Sequence, residues 1–192
     1  MKMLYVIGEP GVGKSTVVAR LTRHCGYAVH HVPFVVWMHY TSTVMQLGNS
    51  RAQFSGTDAL GMAAQKHVIK FMQQCVDGEY EYQYVLAEGD RLANGRFFNA
   101  VTDMGVELTV CTLLSSDQAL LDERRNERAL QLGREQNEQW LRGRSTKVVN
   151  LYADWGEDDW TFDIVTDQTR DIVRTLARHP VGRQFVQIRR SS

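Results

Sequence analysis

Short apolar runs alternate with amphipathic stretches along the whole chain. Residues 3–7, Met-Leu-Tyr-Val-Ile, are wholly apolar and end at a glycine, the pattern of a central parallel strand buried on both faces. From Ser15 to about Cys25, the side chains of Val17, Val18, Leu21 and Cys25 gather on one side of a helix that Gly26 ends. Residues 27–32, Tyr-Ala-Val-His-His-Val, read as a second strand stopped by Pro33. The next stretch is less decided: Phe-Val-Val-Trp-Met-His-Tyr (34–40) suits strand or helix, and 46–56 reads as loop. Ser55 or Thr57 can then cap a long helix, on which Leu60, Ala64, Val68, Phe71 and Cys75 recur at spacings of four, four, three and four.

A turn at 77–81 leads to a third strand, 84–90, that ends in carboxylates. A short helix over 95–104, closed by Gly105, precedes a fourth strand at 106–114. A charged helical stretch runs from about Asp117 to Leu132, and a second follows Gly133 through 138–155. Residues 161–166 read as a fifth strand, Ile172, Val173 and Leu176 mark a helix stopping at His179-Pro180, and 183–190 reads as an added edge strand. Strands alternating with helices predict a three-layer α/β domain around a mainly parallel sheet of about five strands. Right-handed crossovers gather the strand C-termini on one edge, where such sheets hold their ligands.

The 192 residues fit one compact domain, 1–192, with 117–147 as a helical lid. At 43% apolar residues and a net charge of +0 the chain is ordinary for a soluble protein and unlike one that coats nucleic acid through charge alone. Cys25, Cys75 and Cys111 are widely spaced, with no ligand-like cluster, which predicts a reduced, cytoplasmic protein. The first strand starts too early to leave room for a signal peptide, and no apolar run approaches the roughly 20 residues that span a bilayer.

The chemistry concentrates in residues 8–16, Gly-Glu-Pro-Gly-Val-Gly-Lys-Ser-Thr. Gly8, Gly13, Lys14 and Ser15 satisfy the phosphate-loop spacing G-x-x-x-x-G-K-[ST]. Glycines let the backbone curl so that successive N–H groups point inward as an anion nest, and the following helix adds the positive end of its dipole. Gly11, Val12 and Thr16 belong to the same nest, Lys14 reaches the β- and γ-phosphates, and the Ser15 hydroxyl suits Mg²⁺. A chance match in a chain this long is roughly one in a hundred, and the strand before and helix after lower it further.

Three more segments point to phosphoryl transfer. The third strand's tip carries Glu88, Asp90 and Arg91; a carboxylate there can hold the Mg²⁺ water shell or take an acceptor's proton, and an arginine can grip a phosphate with two prongs. Arg124 and Arg128 stand at i, i+4 with Arg125 beside them, a guanidinium face that can close over the transferring group, or else a solvated helix laced by Asp122, Glu123 and Glu127. Arg142, Arg144 and Lys147 follow, so that 120–147 holds seven Arg and Lys against five Asp and Glu. No Asn-Lys-x-Asp guanine motif and no Ser-Gly-Gly-Gln core occurs, which leaves a small kinase favoured.

On these residues the chain resembles the P-loop nucleoside and nucleotide kinases. Glu-Gly-Asp-Arg at 88–91 is similar to the Asp-Arg motif of thymidylate kinases, and Glu-Arg-Arg-Asn-Glu-Arg at 123–128 resembles their lid. It is also similar to bacteriophage kinases, among them ones that phosphorylate hydroxymethylated uracil within DNA. The resemblance implies ATP and Mg²⁺ as cofactors handled by Lys14 and Ser15, an acceptor facing Asp90 and Arg91, and phosphates clamped by Arg124 and Arg128. His-Val-Pro-Phe-Val-Val-Trp-Met-His at 31–39 stands where thymidylate kinases show Arg-Glu-Pro, so the acceptor is left open. Phe34, Trp37, Tyr40 and Phe54 are candidates to stack on its base and Arg51 to read a phosphate or base edge. His30, His31 and His39 read as packing or surface residues and Asp58 as a capping aid.

The expected partner is a deoxynucleoside or deoxynucleoside monophosphate. The alternative is a hydroxymethylated base in DNA, held by Trp140, Arg142, Arg144 and Lys147. A further alternative is a nucleotide-hydrolysing switch. No membrane partner is expected, and a homodimer is compatible with the chain.

Overall fold

A computed structural model describes residues 1–49, 55–133, 137–164 and 169–191. In chain order it contains β1 (Lys2–Gly8), α1 (Lys14–Thr22), β2 (Ala28–Val32), β3 (Val35–Thr41), β4 (Val44–Leu47) and a 3-10 turn Gly56–Ala59. Then come α2 (Ala64–Val76), β5 (Tyr84–Glu88), α3 (Gly95–Asp103), β6 (Glu107–Leu114), α4 (Gln118–Leu132) and α5 (Glu138–Trp155). A second 3-10 turn at Asp158–Trp160, β7 (Thr161–Asp163), α6 (Thr169–Leu176) and α7 (Pro180–Ser191) complete it.

The strands form one seven-stranded sheet in the order β2-β3-β4-β5-β1-β6-β7. Within the run β4-β5-β1-β6-β7 the middle strand is β1, paired in parallel with β5 on one side and β6 on the other, so that Val6 lies between Glu88 and Cys111. The period-two alternation of β1 splits the core between two faces. Met3, Tyr5 and Ile7 pack under α2 and α3 with Phe71, Phe97, Phe98 and, from α5, Leu151. Leu4 and Val6 pack on the other face with Val17 and Val18 of α1, Leu121 of α4, Ile172 of α6 and Phe185 of α7. Five strands, β4, β5, β1, β6 and β7, run parallel, and their C-terminal ends meet on one edge.

Three expectations change. Residues 27–32 are not a member of the parallel core: β2 is an antiparallel edge strand exposed along its whole length, and Val44–Leu47, whose last two residues were expected as loop, takes the place beside β5. Tyr-Ala-Val-His-His-Val carries apolar residues for a strand, but among the described residues β2 pairs only with β3, in a hairpin whose turn holds Phe34 at φ 68°. The long helix begins at Ala64, with no side-chain cap from Ser55 or Thr57; Leu60 is extended, so the earlier residues form a separate 3-10 turn.

The third change is at the C-terminus, where α7 replaces the expected edge strand. Val181, Phe185 and Ile188 stand at helical spacing and pack on the core. Pro180 occupies the first helical position, where its missing N–H costs nothing. The Val181 N–H donates to His179 Nδ1 at 3.2 Å, and His179 Nε2 lies 3.1 Å from Thr109 Oγ1. Burial lowers the pKa of His179 to about 4, which keeps the ring neutral and Nδ1 free to accept.

Candidate functional site

The cleft sits on the sheet edge where the parallel strands end. It has a volume of about 970 Å³ and is lined by the phosphate loop from Pro10 to Thr16, by Ser55, Asp58, Met62, Glu88, Asp90 and Arg91, and by side chains of α4 and α5.

The loop's shape follows from its glycines. Gly8, Gly11 and Gly13 have φ of 153°, 89° and 100°. A Cβ on Gly8 would stand 2.5 Å from the Leu113 carbonyl oxygen, so only glycine lets β1 leave the sheet here. Gly13, left-handed, is the N-cap of α1, and the helix amides open into the cleft. The Lys14 ammonium donates to the Gly8 carbonyl at 2.6 Å and the Glu9 carbonyl at 3.1 Å, which holds it across the loop with only 9% exposure.

Ser15 opens the metal-binding possibility. Its hydroxyl donates to Glu88 Oε1 at 3.2 Å and also shares a short hydrogen bond with the Ser55 hydroxyl. Glu88 is 1% exposed. Burial raises the pKa of its carboxyl, opposed chiefly by the Lys14 charge and by hydrogen bonds from Ser55 and Ser15. Hydroxyl and carboxylate oxygens are the donor set of a hard divalent cation such as Mg²⁺. Among the described residues no group of three metal-binding side chains gathers to hold an ion unaided; Mg²⁺ at Ser15 and Glu88 would share its coordination with phosphate oxygens and water, which is how this ion usually binds.

At the other end of the cleft lie Asp90 and Arg91. Their backbone N–H groups donate to Asp58 Oδ1 at 3.0 and 2.9 Å. Burial raises the pKa of Asp58, and the Asp90 charge raises it further. Arg91 bonds through Nη1 to the sulfur of Met62, while its buried Nε has no hydrogen-bond partner among the described residues. Met62 itself is 84% exposed. Buried beneath, the Tyr5 hydroxyl donates to the Gly89 carbonyl at 3.0 Å and lies 3.0 Å from Thr57 Oγ1.

Two helices supply the cationic wall. Leu121 anchors α4 in the core beside Val12. One turn on, Arg125 Nε donates to the Pro10 carbonyl at 2.9 Å, and its guanidinium lies 3.5 Å from the Glu9 carboxylate and 3.2 Å from Asp122. Arg124 and Arg128 line the cleft on the neighbouring stripe of the helix. In α5, capped by Asn137 through the Trp140 N–H, Trp140, Arg144 and Lys147 share one face. The Arg144 guanidinium lies 5.1 Å from the Trp140 ring centre, and Lys147 Nζ donates to the Asp90 carbonyl at 2.8 Å. Burial lowers the pKa of Lys147, and the Asp90 charge opposes that.

The structure thus brings together Gly11, Val12, Gly13, Lys14, Ser15, Thr16, Glu88, Asp90, Arg91, Arg124 and Arg128 around one cleft, with Gly8 turning the chain into it. Phe34 and Trp37 lie elsewhere. Phe34 is exposed at the hairpin turn and stacks on His67 at 4.4 Å. Trp37 is buried in the core against Phe71, its Nε1 donating to the Tyr82 hydroxyl at 2.8 Å. Neither lines the cleft: Phe34 sits in the β2–β3 turn, and Trp37, level with Leu47 at the end of β4, turns its ring into the core. Tyr40 is likewise buried, edge-on to Phe185. Arg51 and Phe54 fall outside the described residues. Arg142 lies off the cleft, with a salt bridge to Glu138 at 3.5 Å. His30 stacks on Trp37, and His39 Nδ1 lies 2.8 Å from the Tyr82 hydroxyl, both as packing residues.

Sequence reasoning missed Ser55, Met62 and the brace at Arg125, and it read Asp58 as a capping residue. Gly-Thr-Asp at 56–58 was the available signal, since a glycine before two short polar residues commonly marks a turn that bonds to backbone.

Among the described residues no helix is long and apolar enough to cross a membrane. No curated protein matches the chain. The family model P-loop Nucleotide Kinase3 matches residues 1–165, a span from β1 through β7 that contains the phosphate loop, the β5 tip and both cationic helices. The chain therefore belongs to the P-loop Nucleotide Kinase3 family.

Proposed function

We propose that the protein transfers the γ-phosphoryl group of ATP to a deoxynucleoside or deoxynucleoside monophosphate seated between the β5 tip and α5. The observation that carries this reading is the shared cleft: an anion nest at one end, Asp90 and Arg91 at the other, and the guanidinium groups of Arg124 and Arg128 on its wall.

The phosphate loop binds the triphosphate through its amides and Lys14. Ser15 and Glu88 are the residues to hold Mg²⁺, which when bound spreads the charge of the reacting phosphates. Arg124 and Arg128 neutralise charge on the transferring group, and Arg91 grips an acceptor phosphate or orients a sugar. Asp90 takes the proton when the acceptor atom is a hydroxyl oxygen; a monophosphate acceptor, already ionised, needs no base. The arrangement works by positioning and electrostatics, as phosphoryl transfer requires.

A second reading, transfer to a hydroxymethylated base within DNA, is favoured by the cleft's rim. Met62 and Trp140 (84% and 45% exposed) stand at its mouth, where apolar side chains can meet a base taken out of its stack. Labelled ATP offered with thymidine, thymidine monophosphate, duplex DNA carrying hydroxymethyluracil, or no acceptor separates the cases. Label on a free nucleoside or nucleotide supports the first reading, and label on DNA alone replaces it with the second. Phosphate release with no labelled acceptor overturns both in favour of a hydrolytic switch.

A further inference from the structure

The turn at 55–58 packs against the β5 tip more closely than any side chain but hydrogen would allow. A Cβ on Gly56 would stand 2.4 Å from the Glu88 carbonyl oxygen, and one on Gly89 would stand 2.9 Å from Thr57 Oγ1 and 3.2 Å from the Asp58 carboxyl carbon. The two chain segments, over thirty residues apart in sequence, are thereby locked backbone to backbone. Three side chains of the turn then reach into functional groups. Ser55 bonds to the Ser15 hydroxyl and to Glu88. Thr57 meets the buried Tyr5 hydroxyl. Asp58 Oδ1 receives both the Asp90 and the Arg91 amide.

We infer that Asp58 is a positioning residue of the acceptor end, whose carboxylate sets the peptide of Asp90 and Arg91 so that both side chains face the cleft. The inference deepens the proposed function and rests on that reading for its catalytic consequence. The geometric argument is specific. Gly89, at φ 110°, gives the backbone after β5 a wide choice of paths. One oxygen accepting two successive N–H groups selects a single path, and what it must do is accept, which a neutral amide oxygen also does. Lys147 completes the clamp from above by binding the Asp90 carbonyl. The peptide is thus held from the turn on one side and from α5 on the other, and Asp58 does this without itself needing to touch the substrate.

The test compares Asp58→Ala, which removes both bonds, with Asp58→Asn, which keeps an oxygen acceptor and loses the charge. Amide hydrogen exchange at Asp90 and Arg91, followed in the protein without substrates, should accelerate at least about tenfold in the alanine variant and change little in the asparagine variant. With MgATP and whichever of thymidine, thymidine monophosphate or hydroxymethyluracil duplex the wild type phosphorylates, Asp58→Ala should raise the acceptor KM at least about tenfold. The KM for ATP should stay within about twofold, and Asp58→Asn should restore most of the loss. Unchanged exchange at both amides overturns the inference. So does an asparagine variant as impaired as alanine, which would make the charge itself the active feature, and so does an equal rise in both KM values. If the alanine variant does not fold, exchange in Asp58→Asn and Asp58→Ser decides: serine is too short to reach both amides, so protection retained in it refutes the role. Exchange is read without turnover, so a wild type that phosphorylates none of the three acceptors rejects the proposed function while leaving the positioning role measurable.

Discussion

The two ends of the cleft are built in opposite ways. At the phosphate loop, one continuous stretch supplies the glycines, the amides, Lys14 and Ser15, and tertiary contacts brace it from outside, Arg125 on Pro10 and Ser55 and Glu88 on Ser15. At the far end, Asp58 comes from a turn, Asp90 and Arg91 from the β5 tip, and Arg144 and Lys147 from α5. Backbone geometry makes the first end, and side chains from three distant segments converge on the second. A site made of backbone accepts little variation, because its anion nest needs one particular chain path. A site made of converging side chains can change its ligand by changing any one of them. The contrast accounts for a phosphate loop that is recognisable in sequence beside a far end of the cleft that is not.

That contrast makes measurable claims. Lys14→Ala should reduce kcat/KM by about a thousandfold while the melting temperature moves by only a few degrees, since the ammonium serves the ligand rather than the core. Retained turnover would remove the loop from the mechanism. Glu88→Gln is expected to lower kcat about a hundredfold and to stabilise the ligand-free protein at neutral pH by about 1 kcal/mol. Burial raises the pKa of Glu88, so its contribution to stability is fully present below the ordinary carboxylate pKa, where the unfolded chain is protonated too. It is lost as pH rises through the raised value. Denaturant melts from pH 4 to 8, without nucleotide or magnesium, should show this decline in wild type and a weaker one in the variant.

Smaller effects separate the ends. Arg91→Ala should raise the acceptor KM between about ten- and a hundredfold and leave the ATP KM nearly unchanged, as expected for a lost bidentate contact. Arg125→Lys should do the reverse and more weakly, raising the ATP KM about threefold, because lysine cannot reach the Pro10 carbonyl and the Glu9 carboxylate together. If both substitutions shift both KM values alike, the ends are not independent and the contrast fails.

Much of the fold was legible. The apolar run of β1, the amphipathic α1 and α3, the charged α4, and Gly105 and Gly133 after α3 and α4 follow from local pattern and appear within a few residues of their expected places, whereas α1 stops at Thr22 with Arg23 as its C-cap, short of the expected Gly26. The errors cluster where local pattern was shared by two outcomes. Residues 27–32 read as a strand and are one, but nothing in the run shows that it pairs only with β3 at the sheet's edge. Trp37 looked like a stacking residue because aromatic side chains serve cores and ligands equally; it proves to be core. At 183–190, helical spacing of Phe185 and Ile188 was present but outweighed by a short apolar appearance, and Pro180 was read as a stop when it is a start.

By itself the sequence determined the alternation of strands and helices, the phosphate loop and the charged helices after β6, because these depend on residues within a turn or two of one another. Only the tertiary structure decided that Asp58 and Ser55 join Asp90 and Glu88, that Arg125 braces the loop while Arg124 and Arg128 line the cleft, and that Trp37 does not. The reason is physical. Hydrogen bonds and close packing between segments far apart in the chain carry no local signature, and they exist only once the sheet has set its order and brought the strand ends to one edge.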